Sequence, residues 1–257
     1  MEVLLPSAPL RPFVKSYRII ESNKALVNRV LPDTSIAMAF RFKGEIAYVD
    51  SAGAAKAKLS VATLSGLRKS NRLIKYAPDT AALIVTFAET GVSAFFEQPL
   101  HELFEKSISL DYFFVESDIS GIEGRLASAQ NNIARIEVID GFLLSKLRHF
   151  KSDQLITEAI KKIRANNGLV RIKDLANGLA ISQDAFEKRF RRTTGATPKQ
   201  FASIVKLRTL IQRNETSASF LDLALRNGYY DQAHFNKEFK LFTGLTPTEF
   251  FRSASFW

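Results

Sequence analysis

The chain has 257 residues, 46% of them apolar and 24% charged, the composition of an ordinary globular protein long enough for two domains. It contains no cysteine, which excludes disulfide scaffolds, thiol chemistry and Cys-ligated zinc and fits a reducing compartment. A formal net charge of +10 calls for an anionic partner, and it is unevenly placed: residues 151–257 carry 18 Lys and Arg against 10 Asp and Glu, residues 1–150 carry 18 against 16.

The first residues, MEVLLPSAPLRPF, are interrupted by Pro6, Pro9 and Pro12 and lack the apolar core of a signal peptide. No stretch reaches the roughly 18–20 apolar residues of a membrane span. The expectation is a cytoplasmic protein without a membrane partner. Residues 1–117 read as β-rich. Short apolar or alternating runs at 35–42, 44–50, 58–67 and 81–87 are separated by turn signals at Lys43-Gly44, Gly53 and Pro78-Asp79, the pattern of a small barrel or sandwich. A short helix is expected after Pro99.

From Ile119 to Phe150 the spacing is helical, with Ile122, Leu126, Ala129, Ile133, Ile136, Leu143, Leu147 and Phe150 forming a stripe that Asp140 interrupts. Residues 118–151 are therefore either helices packed on their own β domain or a connector that pairs two copies of the chain. Catalytic signals are scarce. His101, His149 and His234 lie in three separate segments, and no nucleophile elbow or phosphate-binding glycine loop occurs. Asp33, Glu45 and Asp50 read as turn or solvent-face carboxylates, so no catalytic or metal residue and no cofactor is assigned. The alternative from another class is an enzyme whose N-terminal barrel uses such carboxylates and is tethered to nucleic acid by the basic half.

The informative feature is a repeat within residues 152–257. TGATPKQF, from Thr194 to Phe201, returns as TGLTPTEF, from Thr243 to Phe250, with five of eight positions identical. Upstream of each copy lies an Asp-Leu-Ala helix, a turn, and a second helix with phenylalanines four apart: Phe186 and Phe190, then Phe235 and Phe239. Ala180 and Gly228 occupy the turn, and Ser182 and Asp231 are natural N-caps. This is a helix-turn-helix pattern used twice. The phrase itself is punctuation. Gly195 and Gly244 end one helix in the left-handed conformation, Thr197 and Thr246 cap the next, Pro198 and Pro247 open it, and Gln200 and Glu249 complete a capping box. The stretch from Pro198 to Arg213 spans about 24 Å as a helix, so with its flanking helices it can set two units about one DNA turn, roughly 34 Å, apart.

At these residues the sequence resembles the AraC family of bacterial transcription regulators. NGYYDQAHFNKEFKLFTGLTPTEFFR (227–252) matches most of that family's C-terminal signature, and KQFASIVKLRTLIQR (199–213), including Arg208, resembles its connecting helix. LPSAPLRPFVKSYRI (5–19) and LPD (31–33) resemble a cupin-like sensor domain found ahead of such regulators. The resemblance implies an α+β protein, with a cupin-like β domain followed by helices and then an all-α domain of two helix-turn-helix units on a long helix. It also implies an activator or repressor that reads two successive major-groove segments of double-stranded DNA under control of its N-terminal domain. The family's base-reading positions map to Asp184, Glu187 and Lys188 on the first reading helix and to Gln232, Ala233, Asn236 and Lys237 on the second, and Gln183 lies on the same face of the first helix, opposite Phe186 and Phe190. Arg191, Arg192, Lys199, Arg213 and Lys240 are the phosphate contacts expected beside them. Arg208 reads equally as a structural ion-pair partner. RNA polymerase, a small-molecule effector and a second copy of the chain complete the implied partners. Two acids on the first reading helix repel phosphate, which makes the second the expected anchor.

Overall fold

The computed structural model describes residues 2–213 and 220–252, apart from the side chains of Glu2 and Glu116. The domain read as 152–257 therefore ends outside the described residues. Two compact units form. The first comprises the chain up to Asn28, Ser35–Gly66 and Leu73–Ser152; the second comprises Arg29–Thr34, Leu67–Arg72 and the chain from Asp153 onward.

In the first unit, β-branched and aromatic residues alternating with small polar ones produce two antiparallel sheets. Strands β1 (Glu2–Leu4), β2 (Val14–Ser22), β4 (Ala37–Lys43), β7 (Ala62–Ser65), β9 (Thr80–Phe87) and β10 (Ser107–Ser109) form one sheet in the order β1-β2-β9-β4-β7-β10. Strands β3 (Leu26–Val30), β5 (Ile46–Val49), β6 (Ala55–Lys58) and β8 (Arg72–Tyr76) form the other in the order β3-β8-β5-β6, with Arg29 and Val30 of β3 and Arg72 of β8 counted in the second unit. The run at 58–67 divides between two strands of different sheets, with an irregular stretch at 59–61 between them. Beyond Pro99 the expected helix is one 3-10 turn, Leu100–Leu103.

The larger sheet has two unlike faces. One is closed: Tyr17, Met38, Phe40, Leu83, Val85 and Phe87 are all at most 1% exposed. Against it pack helices α1 (Glu116–Ser128) and α2 (Asn132–Lys146), with Phe40 edge-on to Phe142 at 5.8 Å and the Arg135 guanidinium over the Phe42 ring at 4.7 Å. The other face meets the smaller sheet, where Ile46, Ile74 and Tyr76 pack with Ile20, Ala82 and Ile84. A hydroxyl chain runs alongside, Tyr48 to Ser107 at 2.6 Å and Ser107 to Ser65 at 2.7 Å.

Residues 118–151 thus contribute α1 and α2 to the first unit. The single apolar stripe expected from Ile122 to Phe150 is broken, because Ala129 is extended and Asn131 caps α2 by accepting from the Ala134 N–H. Ile122, Leu126 and Leu143 are fully buried, whereas Ile133 is 69% exposed. Asp140 interrupts the stripe for a reason: its carboxylate accepts from the buried Tyr17 hydroxyl and, at 2.9 Å, from the Ser7 N–H. Burial first, then Asp140, pushes the Tyr17 hydroxyl well above its ordinary range, so it stays a neutral donor.

No helix among the described residues is long and apolar enough to cross a membrane. Asp140→Ala would leave two donors at the buried joint without an acceptor and should destabilise the protein by about 2–3 kcal/mol, read by urea unfolding of the full chain. Tyr17→Phe, which removes one donor and leaves Ser7 its acceptor, should cost less. Tyr76, pushed by burial to about 12, keeps its proton in the folded chain after the unfolded chain has lost it above pH 10. That contribution is full below pH 10 and is lost as pH rises toward 12, so Tyr76→Phe should flatten the fall in stability across that window.

Candidate nucleic-acid interface

The second unit begins its helical part with α3 (Gln154–Ala165), whose N-cap Asp153 accepts from the Ile156 N–H. Its buried stripe of Ile156, Ala159, Ile160 and Ile163 faces the unit's interior. Then come two copies of one arrangement. In the first, α4 (Ile172–Asn177) turns into α5 (Gln183–Thr194); in the second, α7 (Phe220–Arg226) turns into α8 (Gln232–Thr243).

The turns match bond for bond. Ala180 and Gly228 both take positive φ, 53° and 70°, and the next N–H reaches back to an equivalent alanine carbonyl: Ile181 to Ala176 at 3.2 Å, Tyr229 to Ala224 at 3.0 Å. Ala180 accepts a conformation that glycine adopts more cheaply. Ser182 and Asp231 then cap α5 and α8 by accepting from the N–H groups of Ala185 and His234.

Each second helix is fastened by a phenylalanine triad. Phe186, Phe190 and Phe201 meet in series, edge to face, at 5.6 and 5.4 Å; Phe235, Phe239 and Phe250 meet in series, tilted and then edge to face, at 5.5 and 5.4 Å, all buried. The third member of each triad sits on the helix that the repeated phrase starts: α6 (Pro198–Arg213) and α9 (Pro247–Arg252). Gly195 and Gly244 end α5 and α8 at φ 88° and 80°. Both capping boxes are closed in both directions: Thr197 N–H to Gln200 at 2.8 Å and Gln200 N–H to Thr197 at 3.2 Å, Thr246 N–H to Glu249 at 2.8 Å and Glu249 N–H to Thr246 at 3.3 Å.

The triads turn the remaining face of each helix outward. On α5, Gln183, Asp184 and Lys188 are exposed and Glu187 is half-buried; on α8, Gln232, Ala233 and Lys237 are exposed and Asn236 is half-buried. The two faces occupy equivalent positions but differ in charge state. On α5 the groups satisfy one another, Gln183 donating to Glu187 at 2.8 Å and Lys188 pairing with Asp184 at 2.9 Å. On α8, the side chains of Gln232, Asn236 and Lys237 carry no hydrogen bond or ion pair among the described residues. Arg191 and Arg192 lie in the last turn of α5, Lys240 in the last turn of α8, and Lys199 and Arg213 near the two ends of α6, all exposed.

Several features were not visible in sequence. Arg189 bonds Asp153 at 2.6 and 3.0 Å and ties α5 to the start of α3. Lys206 of α6 lies 3.6 Å from the centre of the Tyr229 ring and 3.8 Å from the Glu238 carboxylate of α8, while His234 stacks edge-on to Tyr229 at 5.4 Å. Burial lowers the Lys206 ammonium from its ordinary range, partly offset by Glu238, and burial raises the Tyr229 hydroxyl. His234 thus packs edge-on against the ring that Lys206 also meets, while its side chain stays exposed. Tyr230 is 90% exposed immediately before the α8 cap, a solvent-facing aromatic that periodicity gave no reason to single out. Arg208 is a structural partner, donating to the Pro32 carbonyl at 3.1 Å and lying 3.3 Å from the Asp33 carboxylate.

Other carboxylates considered for catalysis are also engaged locally. Glu45 pairs with Lys58 at 2.5 Å, and Asp50 accepts from the N–H groups of Ala52 and Ala54 in a turn. Among the described residues, no three His, Asp or Glu side chains cluster in a way that could hold a metal ion.

Residues 175–253 match the model of a helix-turn-helix domain, and residues 2–109 match that of a domain of unknown function. The chain is 29% identical over 150 residues to an uncharacterized HTH-type transcriptional regulator of Haemophilus influenzae, a match covering 51% of this chain and 50% of that protein. It thus spans about half the length of this curated relative. Among solved structures it is similar to an apo ToxT variant from Vibrio cholerae, at 13% identity and a TM-score of 0.47 over 93% of this chain and 97% of that one. It is also similar to a transcriptional regulator with an AraC-type DNA-binding domain from Chromobacterium violaceum, at 24% identity and a TM-score of 0.35 over 37% of this chain and 88% of that one. The stretch that matches the helix-turn-helix domain model, residues 175–253, is the one that holds the two equivalent units, their shared long helix and the repeated capping phrase.

Proposed function

We propose that the protein is a sequence-specific, non-enzymatic DNA-binding transcription regulator whose helices α5 and α8 enter successive major-groove segments. The observation that carries this is the equivalence of the outward faces of α5 and α8, fixed by the same caps and the same phenylalanine triads in two copies on one connecting helix. Asn236 and Gln232 suit adenine edges and Lys237 suits guanine, and their lack of internal partners leaves them ready to bond bases. Arg191, Arg192, Lys199, Arg213 and Lys240 supply phosphate contacts around the two faces. On α5, the Asp184–Lys188 and Gln183–Glu187 pairs must open before bases are bonded, so α8 is the stronger anchor. RNA polymerase and a second copy of the chain are further partners of this reading.

The first unit is the sensor. On the sheet face opposite α1 and α2, the central strands carry small and hydroxyl side chains, Ala37, Ala39 and Thr86, that are half-exposed although their neighbours on the other face are buried. Arg18 stands on that face near Tyr76, half-buried, its side chain without a hydrogen bond or ion pair among the described residues. A small anionic effector fits such a surface, with the guanidinium as its fork.

Asn236→Ala and Lys237→Ala should each relax preference at one base position by about 1–3 kcal/mol while leaving the others intact, measured by competition binding against a set of point-changed duplexes. Unchanged site preference in both would contradict the placement of α8. A thermal-shift screen of small carboxylates and phosphate esters on the full chain should yield a stabilising compound whose effect Arg18→Met abolishes. A compound that stabilises both proteins equally would contradict the sensor face.

A further inference from the structure

The second unit includes two short stretches from far up the chain, Arg29–Thr34 and Leu67–Arg72. They meet the end of α8 that points away from its cap. The Arg29 guanidinium donates from one nitrogen to the Thr243 carbonyl at 3.1 Å and to the Asn71 side-chain oxygen at 3.1 Å. Asn71 in turn donates to the Leu241 carbonyl, from its backbone N–H at 3.4 Å and from its side chain at 3.3 Å. Two of the last-turn carbonyls of α8, which the helix cannot satisfy itself, are thus met by residues about 170 and 214 positions away in sequence. A cation there also faces the negative end of the helix dipole.

Space and charge both mark this as a fitted contact. A Cβ on Gly244 would stand 2.0 Å from the Arg29 nitrogen and 2.8 Å from the Asn71 amide, so the glycine that ends α8 also makes room for the clamp. Burial lowers the Arg29 guanidinium from its ordinary range, the sign of a charge taken out of water. The rest of the stretch is stitched to the other helices of the unit: Pro32 and Asp33 to Arg208 of α6, and Thr34 to Arg164 of α3 at 2.7 Å. One six-residue segment therefore touches α3, α6 and the end of α8.

We infer that Arg29 and Asn71 are positioning residues for the second DNA-reading helix, setting the angle at which α8 presents Gln232, Asn236 and Lys237. This rests on the reading of α8 as a base-contacting helix. In helix-turn-helix proteins the N-terminal part of the second helix meets the bases, so a clamp on its C-terminal end steers recognition without touching DNA. Arg29 and Val30 are the last residues of β3 and Arg72 is the first of β8, so the clamp is built on the ends of two strands.

The test is hydroxyl-radical footprinting of the full chain on its selected two-part duplex, comparing wild type with Arg29→Ala, Asn71→Ala and Arg29→Lys, alongside Asn236→Ala. Arg29→Ala and Asn71→Ala should each weaken protection of the part read by α8 by about tenfold, the loss expected from one charge-assisted contact, and leave the part read by α5 unchanged. Arg29→Lys, which keeps one donor for Thr243, should recover most of the loss. A uniform loss over both parts would show a general stability effect and overturn the inference, as would wild-type footprints in both alanine variants while Asn236→Ala still loses the second part. Absence of a second protected part in wild type would defeat the reading of α8 itself, and the inference with it.

Discussion

Two residues at positive φ, Gly195 and Gly244, are the constraint on which the second unit depends. Each ends a helix within a residue of where the phenylalanine triad requires it, and the threonine two positions on starts the next helix. Moving that stop by one residue would rotate the following helix by about 100°, which would take Phe201 or Phe250 out of its triad. Short polar punctuation therefore governs the packing of large aromatic side chains. The same device used twice gives two outward faces with equivalent positions, which is what a reader of two successive groove segments needs.

Equivalent geometry does not make the faces equivalent in chemistry. The α5 face closes on itself through pairs between adjacent turns, while the α8 face is open, and its helix is held at both ends: by Lys206, Tyr229 and Glu238 near the start and middle, and by Arg29 and Asn71 at the last carbonyls. Tertiary contacts at both ends and chemical availability thus coincide on the same helix. Under the proposed function, a reading helix held in place loses less entropy on binding, so the contacts that fix α8 favour affinity as well as register. The buried lysine and tyrosine between α6 and α8 tie the connecting helix into the same assembly.

Much of the second unit was legible because its signals are local. A cap, a left-handed stop and a phenylalanine pair four residues apart each act within one or two turns, and each returns in the structure where the sequence placed it. Arg208 was readable only as either a phosphate contact or an ion-pair partner, since its partner Asp33 lies 175 positions away. The same distance hid the membership of Arg29–Thr34 and Leu67–Arg72 in the second unit. In the first unit the strands were visible as runs, but their order was not: β2 pairs with β9 and β4 with β7, contacts that no local pattern specifies. The helical stripe from Ile122 to Phe150 concealed a break because apolar spacing continues across it, although the adjacent asparagines Asn131 and Asn132 were a cap signal. Asp140, read as a flaw in the stripe, is the acceptor that joins α2 to β2 and the N-terminal segment.

The most direct measurement is selection of random duplex DNA by the full chain at near-physiological salt, followed by sequencing of the bound pool. The account predicts one enriched motif with two parts about one helical turn apart, the part assigned to α8 being the more strongly constrained. Enrichment of a single part, or binding that follows salt and ignores sequence, would contradict the claim that both units read DNA.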